Sequence, residues 1–97
     1  MSYGADPTVI EKPAATPSRV SVPSLAAFKA RGEKLAMMTA YDFTFASLLD
    51  RVGMDLLLVG DSLGMVLQGD SSTMAVTVEH MAYHTKAASR GSKRALV

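Results

Sequence analysis

Leu56-Leu57-Leu58-Val59-Gly60-Asp61-Ser62-Leu63-Gly64-Met65 is the stretch from which the fold is read. Four apolar residues run without alternation and stop at a glycine, a carboxylate, a hydroxyl and, two positions on, a second glycine. A half-solvated strand would alternate apolar and polar positions, so the unbroken run predicts a parallel strand buried on both faces. The carboxyl ends of parallel strands are where α/β folds receive their ligands. Asp61 and Ser62 fall at that end, where a metal ion or a polar substrate would be met.

Upstream, Leu35-Ala36-Met37-Met38-Thr39 reads as an earlier strand, followed by Asp42 as a helix N-cap. The apolar positions Phe45, Leu48, Leu49 and Val52 follow the i, i+3, i+4, i+7 pattern of an amphipathic helix that Gly53 ends. A shorter helix precedes it, capped by Ser21 or Ser24, with Leu25 and Phe28 as its apolar stripe and Gly32 just past its end. Downstream, Asp61 to Val76 is a long excursion with one helical turn over Leu63 to Leu67. Thr77 caps a last helix, with Val76 and Met81 at hydrophobic-staple positions and Gly91 at its end. Ala95-Leu96-Val97 opens a third apolar run.

Strands alternating with helices imply a parallel sheet with right-handed crossovers. Both a doubly wound sheet and a barrel satisfy the pattern. Three such strands leave two open edges and an uncovered face, so the 97 residues are expected to be the front of a longer protein. Residues 1–20, with Pro7, Pro13 and Pro17 among Ala, Thr and Ser, have no periodicity and are expected to form a flexible tail ahead of a domain at 21–97.

Composition narrows the function classes. Hydrophobic content of 48% with 20% charged residues fits a globular core. A net charge of +1 gives no reason to expect nucleic acid or an anionic membrane as partner. No cysteine is present, which removes thiolate metal ligands and thiol nucleophiles. No apolar run reaches the roughly 18 residues of a membrane span, and the start of the chain lacks a secretory pattern, so a cytoplasmic protein is expected. Gly60, Gly64 and Gly69 do not form a dinucleotide fingerprint. His80 and His84 share a helix face, but the glutamate that would complete a zinc-protease helix is Met81. His84 is expected to hydrogen-bond in the core or at a subunit contact. Met37, Met38, Met54 and Met81 read as core filler.

Met38-Thr39-Ala40-Tyr41-Asp42, then Leu58 to Met65, Gly69, Thr73, Val76-Thr77, Tyr83-His84 and Arg90-Gly91 together resemble the ketopantoate hydroxymethyltransferase family. The likeness runs from about Val22 to Val97. It implies an α/β fold in which this chain supplies the first three βα units of a (β/α)8 TIM barrel, with the helix around Leu25 closing the barrel bottom. It implies transfer of a hydroxymethyl group from 5,10-methylenetetrahydrofolate, as co-substrate, to the keto acid 3-methyl-2-oxobutanoate, giving 2-dehydropantoate on the route to pantothenate and coenzyme A. It also implies Mg²⁺ and a homo-oligomer. The family usually has Leu-Pro where this chain has Met74-Ala75. Its second metal-binding aspartate, a substrate-binding lysine and its general base lie in sequence that follows Val97, so no catalytic residue is placed within these 97.

The chemistry suits the residues. An α-keto acid held on Mg²⁺ has its carbonyl polarised and the proton on the adjacent carbon acidified, with the enolate charge resting on the metal. By resemblance Asp61 binds Mg²⁺ directly or through water, as part of the substrate site, and Ser62 hydrogen-bonds the keto acid carboxylate. Free amides of a helical turn after Asp61 would help hold that anion, and Gly60 and Gly64 would let the backbone approach closely. The plainer reading makes Asp61 a cap of the turn after the strand. Tyr41 could line the pocket, and Asp42 reads as a helix cap. Two rival functions stand beside the first: a Mg²⁺-dependent barrel of the isocitrate lyase and phosphoenolpyruvate mutase type, or a non-catalytic fragment that pairs through its open strand.

Overall fold

The computed structural model describes residues 18–97. The tail expected over residues 1–20 therefore lies outside the described residues except for Ser18, Arg19 and Val20. Two of those three take part in the packing. Val20 is buried and donates its N–H to the Arg94 carbonyl at 2.7 Å, and Arg19 Nη2 donates to the Ser92 carbonyl at 2.6 Å. The packed part of the chain thus begins ahead of residue 21, tied by its first residues to its last.

Six elements follow: α1 (Val22–Ala30), β1 (Met37–Thr39), α2 (Phe43–Arg51), β2 (Leu56–Leu58), α3 (Leu63–Val66) and α4 (Val78–Gly91). The helix starts lie where the sequence marks them. Ser21 and Ser24 act together, each side chain accepting the other's amide in a capping box. Asp42 accepts the Phe45 N–H at 2.7 Å, and Thr77 accepts the His80 N–H at 3.1 Å. Gly53, at φ 100°, takes the left-handed conformation that lets the chain turn from α2 into β2.

β1 and β2 pair in parallel, Met37 with Leu56, Met38 with Leu57 and Thr39 with Leu58. Each strand is shorter than its apolar run. The third run joins the opposite edge of β2: Leu57 N–H donates to the Leu96 carbonyl at 2.8 Å, and Leu96 N–H to Asp55 at 2.9 Å, a parallel bridge between Leu56 and Leu96. Over one face of this sheet lie α2 and α4. The core there is Ala40, Ala46, Leu57, Ala88 and Ala95, with Leu49, Met54, Val59 and Val97 packed around it. Small residues dominate because the helices approach closely. A Cβ added at Gly91 would stand 2.6 Å from the Phe43 carbonyl oxygen and 2.8 Å from the Ser47 nitrogen, both rigid backbone.

Two packing expectations are corrected. The apolar strand is not buried on both faces within residues 18–97: Leu57 is 3% exposed, but Leu58 is 46% exposed, and Met37 and Met38 lie at the surface rather than filling the core. α2 and α4 cover the face that carries Leu57 and Ala40, and even there Met38, which pairs with Leu57, is left 49% exposed. In α2, of the expected stripe Phe45, Leu48, Leu49 and Val52 only Leu49 packs against the core; the other three are exposed, and the buried residue is Ala46. The helix turns the Ala46–Leu49–Asp50 side inward because α4 reaches it at Gly91 and the chain after α4 reaches it at Asp50.

That second contact places the third run. Asp50 accepts the backbone N–H groups of Lys93, Arg94 and Ala95 at 3.0, 3.1 and 2.7 Å. Partial burial pushes its carboxyl up, but the three amides and the charge of Arg19 outweigh this and hold it below the usual carboxylate range. Nearby, the buried Asp55 accepts from Ala36 N–H and from Arg94 Nη2 at 2.9 and 2.8 Å, joining the start of both strands to the same turn.

Gly91→Ala should lower stability by about 1–3 kcal/mol, read as a lower urea midpoint, because backbone rather than a side chain must move. Asp50→Asn should cost about 1–2 kcal/mol at neutral pH, since an ionised acceptor of three amides becomes neutral. The folded carboxyl lies below its unfolded value, so its contribution is full above the ordinary carboxylate range and is lost as pH falls through the depressed value. Urea midpoints of wild type and Asp50→Asn should therefore converge on acidification.

Candidate active site at the carboxyl ends of the strands

Parallel strands leave the sheet at the same edge, so the residues after β1 and after β2 emerge side by side. Tyr41 follows β1 and Ser62 follows β2. Their hydroxyls are hydrogen-bonded at 2.6 Å, both residues being half-buried. The sequence placed both at this edge but did not join them.

Ser62 stands at the start of α3 without capping it. Its backbone is already in the helical region, at φ −57° and ψ −15°, so its Oγ is left to face Tyr41 instead of the amides ahead. Three of the amides that follow Asp61 are not free. Leu63, Gly64 and Met65 donate to the carbonyls of Gly60, Asp61 and Ser62 at 3.2, 3.0 and 3.0 Å, so these three amides are committed within the first turn.

Asp61 is exposed, and among the described residues its carboxylate accepts no hydrogen bond. The turn-capping role is therefore not what the side chain performs. It stands open at the carboxyl end of β2, as a ligand to an incoming cation must. Among the described residues no group of three or more His, Asp or Glu side chains gathers to hold a metal. A lone carboxylate still fits Mg²⁺, which takes one or two carboxylates and fills the rest of its octahedron with water or substrate oxygens.

The glycines divide. A Cβ at Gly64 would collide with the Val76 side chain, so the long loop folds back against α3 at this point. Gly60 has ordinary room for a Cβ, its nearest neighbours being Ser62 Oγ at 3.9 Å and Leu58 Cγ at 4.0 Å, so close approach is not what requires glycine there.

The two histidines are engaged separately. His80 Nδ1 accepts the Thr77 N–H at 3.2 Å, closing the capping box of α4, which requires the neutral Nε2–H tautomer. His84 Nδ1 lies 2.8 Å from the Tyr41 carbonyl. A carbonyl only accepts, so Nδ1 carries the proton. α4 thereby grips the backbone of Tyr41, while α2 begins one residue later at the Asp42 cap. The sequence left His84 between a core bond and a subunit contact; the structure uses it in the first way. Its partner, a backbone carbonyl 43 positions away, has no sequence signal. No helix among the described residues is long and apolar enough to cross a membrane.

Parallel strands, helices on one face and polar side chains collected at the strands' carboxyl ends define an α/β protein with a small parallel sheet. Comparison with known sequences gives the family. The model of the ketopantoate hydroxymethyltransferase family matches residues 19–97. A 3-methyl-2-oxobutanoate hydroxymethyltransferase of Janthinobacterium sp. is 58% identical over 78 residues, which are 80% of this chain and 29% of that protein. The 3-methyl-2-oxobutanoate hydroxymethyltransferase 2 of Methylibium petroleiphilum is 56% identical over 88 residues, 88% of this chain and 32% of its own length. The Moorella thermoacetica enzyme is 56% identical over 80 residues, 82% and 30% respectively. The chain belongs to the ketopantoate hydroxymethyltransferase family, and it spans about 30% of the length of these curated relatives.

His84→Phe keeps a ring of similar size but leaves the Tyr41 carbonyl without its donor. A loss of about 1–2 kcal/mol is expected in urea unfolding, against little change for Tyr83→Phe, whose side chain is 72% exposed.

Proposed function

We propose that this chain supplies the keto-acid and metal end of a 3-methyl-2-oxobutanoate hydroxymethyltransferase. The reaction adds the one-carbon unit of 5,10-methylenetetrahydrofolate to 3-methyl-2-oxobutanoate, giving 2-dehydropantoate. Residues from about Arg19 to Val97 are the N-terminal part of a (β/α)8 barrel domain, α1 lies at the barrel bottom, and the whole works as a cytoplasmic homo-oligomer. The observation that carries the reading is the open Asp61 carboxylate next to the Ser62 hydroxyl, at the carboxyl end of a parallel strand, in a chain of this family.

Each residue has a task the chemistry needs. Asp61 holds Mg²⁺, directly or through water, and when bound the ion polarises the ketone and acidifies the neighbouring C–H. Ser62 donates a hydrogen bond to the substrate carboxylate and fixes which carbon is presented. The general base comes from sequence beyond these residues. The family match and the names of the relatives favour this reading over a barrel of the isocitrate lyase type or a non-catalytic interaction module.

The test is proton exchange at C3 of 3-methyl-2-oxobutanoate in D₂O, followed by proton NMR with Mg²⁺ and without folate. The protein is a full-length chimaera in which this chain's matched segment replaces that of the Janthinobacterium enzyme. Exchange is expected, and Asp61→Asn should slow it by about a hundredfold or more, since it removes an anionic metal ligand. Near-normal exchange in that variant would remove Asp61 from the metal site.

A further inference from the structure

The Tyr41–Ser62 bond has a direction that the distance alone leaves open, because either hydroxyl can donate at 2.6 Å. Ser62 has one proton. If it is given to Tyr41, none remains on Ser62 for a carboxylate ligand, and the free proton of the pair is the phenol's own. If Tyr41 donates, the Ser62 proton is free. The phenol is the more acidic of the two hydroxyls and hence the better donor, and a hydroxyl that accepts one hydrogen bond becomes a stronger donor in the next.

The phenol is also anchored. The Tyr41 carbonyl is fixed by His84 Nδ1–H from α4 at 2.8 Å, and the next residue, Asp42, is committed to capping α2 at 2.7 Å. Tyr41 therefore has backbone constraints from both helices that cover the sheet, whereas Ser62 lies at the head of a four-residue helix with no capping bond of its own.

Resting on the proposed role of Ser62, we propose that Tyr41 is a positioning residue for the keto acid: its phenol donates to Ser62 Oγ, turns the serine proton toward the substrate carboxylate, and sets substrate affinity rather than the rate of the chemical step. No proton is transferred and Tyr41 need not touch the substrate. A hydrogen bond of this kind, acting at one remove, should be worth roughly a 3–10-fold change in affinity.

The experiment is a double-mutant cycle in the full-length chimaera, with kcat and KM for 3-methyl-2-oxobutanoate measured on wild type, Tyr41→Phe, Ser62→Ala and the double variant. Tyr41→Phe removes one oxygen and keeps the ring, and circular dichroism melts confirm the fold of each variant. The expected result is a KM raised roughly 3–10-fold in Tyr41→Phe with kcat within about twofold, and a double variant no worse than Ser62→Ala. Ser62→Ala impaired while Tyr41→Phe keeps the wild-type KM overturns the inference and leaves the serine's role standing. So does a Tyr41→Phe effect of the same size in the Ser62→Ala background, or a loss confined to kcat. A wild-type KM in Ser62→Ala overturns the reading of Ser62 itself, and the inference falls with it.

Discussion

The in-register parallel pairing of β1 with β2 is the constraint on which the rest depends. Because Met37 to Thr39 lie beside Leu56 to Leu58, and Ala40 N–H continues the ladder to the Leu58 carbonyl at 3.1 Å, both chains leave the sheet at one edge. The Tyr41–Ser62 bond is a consequence of that register. A slip of one residue would send alternate side chains to the opposite face. It would take Leu57 out of the core beneath α2 and α4 and carry the Tyr41 phenol away from Ser62. The helices then stabilise the register from outside: α2 and α4 meet at Gly91, and Asp50 binds the turn that delivers Leu96 to the far edge of β2.

The same sheet accounts for the exposed apolar surface. Side chains alternate across a strand, so Leu57 and Ala40 turn toward the helices while Leu58 and Met37 turn away. The first pair is buried and the second is open. The four-residue apolar run is written for a strand covered on both sides, and residues 18–97 supply one of the two covers. In α2 the division is similar, with Ala46 enclosed and Phe45 and Leu48 exposed on the neighbouring face. Exposed aliphatic and aromatic residues on this scale are unusual for a free-standing domain, in keeping with a chain that spans about 30% of its relatives' length.

Sequence was informative where the controlling interaction is short. Ser21, Asp42 and Thr77 cap helices because each side chain reaches an amide three residues on, and Gly53 turns the chain through its own φ. Parallel pairing and the strand-end location of Asp61 and Ser62 were legible from the apolar run and from the alternation of elements. Which face of α2 is inward was not, because periodicity locates a stripe and not its partner; Gly91 and the backbone amides of residues 93–95, which lie 43 to 45 positions from Asp50, decided it. Asp50 did leave one trace. An acid near a helix C-terminus opposes the helix dipole, and such a residue needs a compensating partner. The amides of residues 93–95 are that partner.

Asp61 and Ser62 are adjacent in sequence yet held in opposite ways, and the difference fits what each would do. The carboxylate is open and makes no hydrogen bond among the described residues, so a cation would displace little but water to reach it. A carboxylate capping the turn would first have to release an amide. The hydroxyl is half-buried and already bonded, so its orientation is set before a ligand arrives and less entropy is lost on binding. The first turn of α3 sharpens the contrast: with the amides of Leu63, Gly64 and Met65 satisfied internally, an anion at this edge would have fewer helix amides to meet and would rely more on the serine hydroxyl. On the role proposed for Ser62, recognition of a carboxylate would depend on where one proton points, and the group best placed to determine that is the phenol 2.6 Å away.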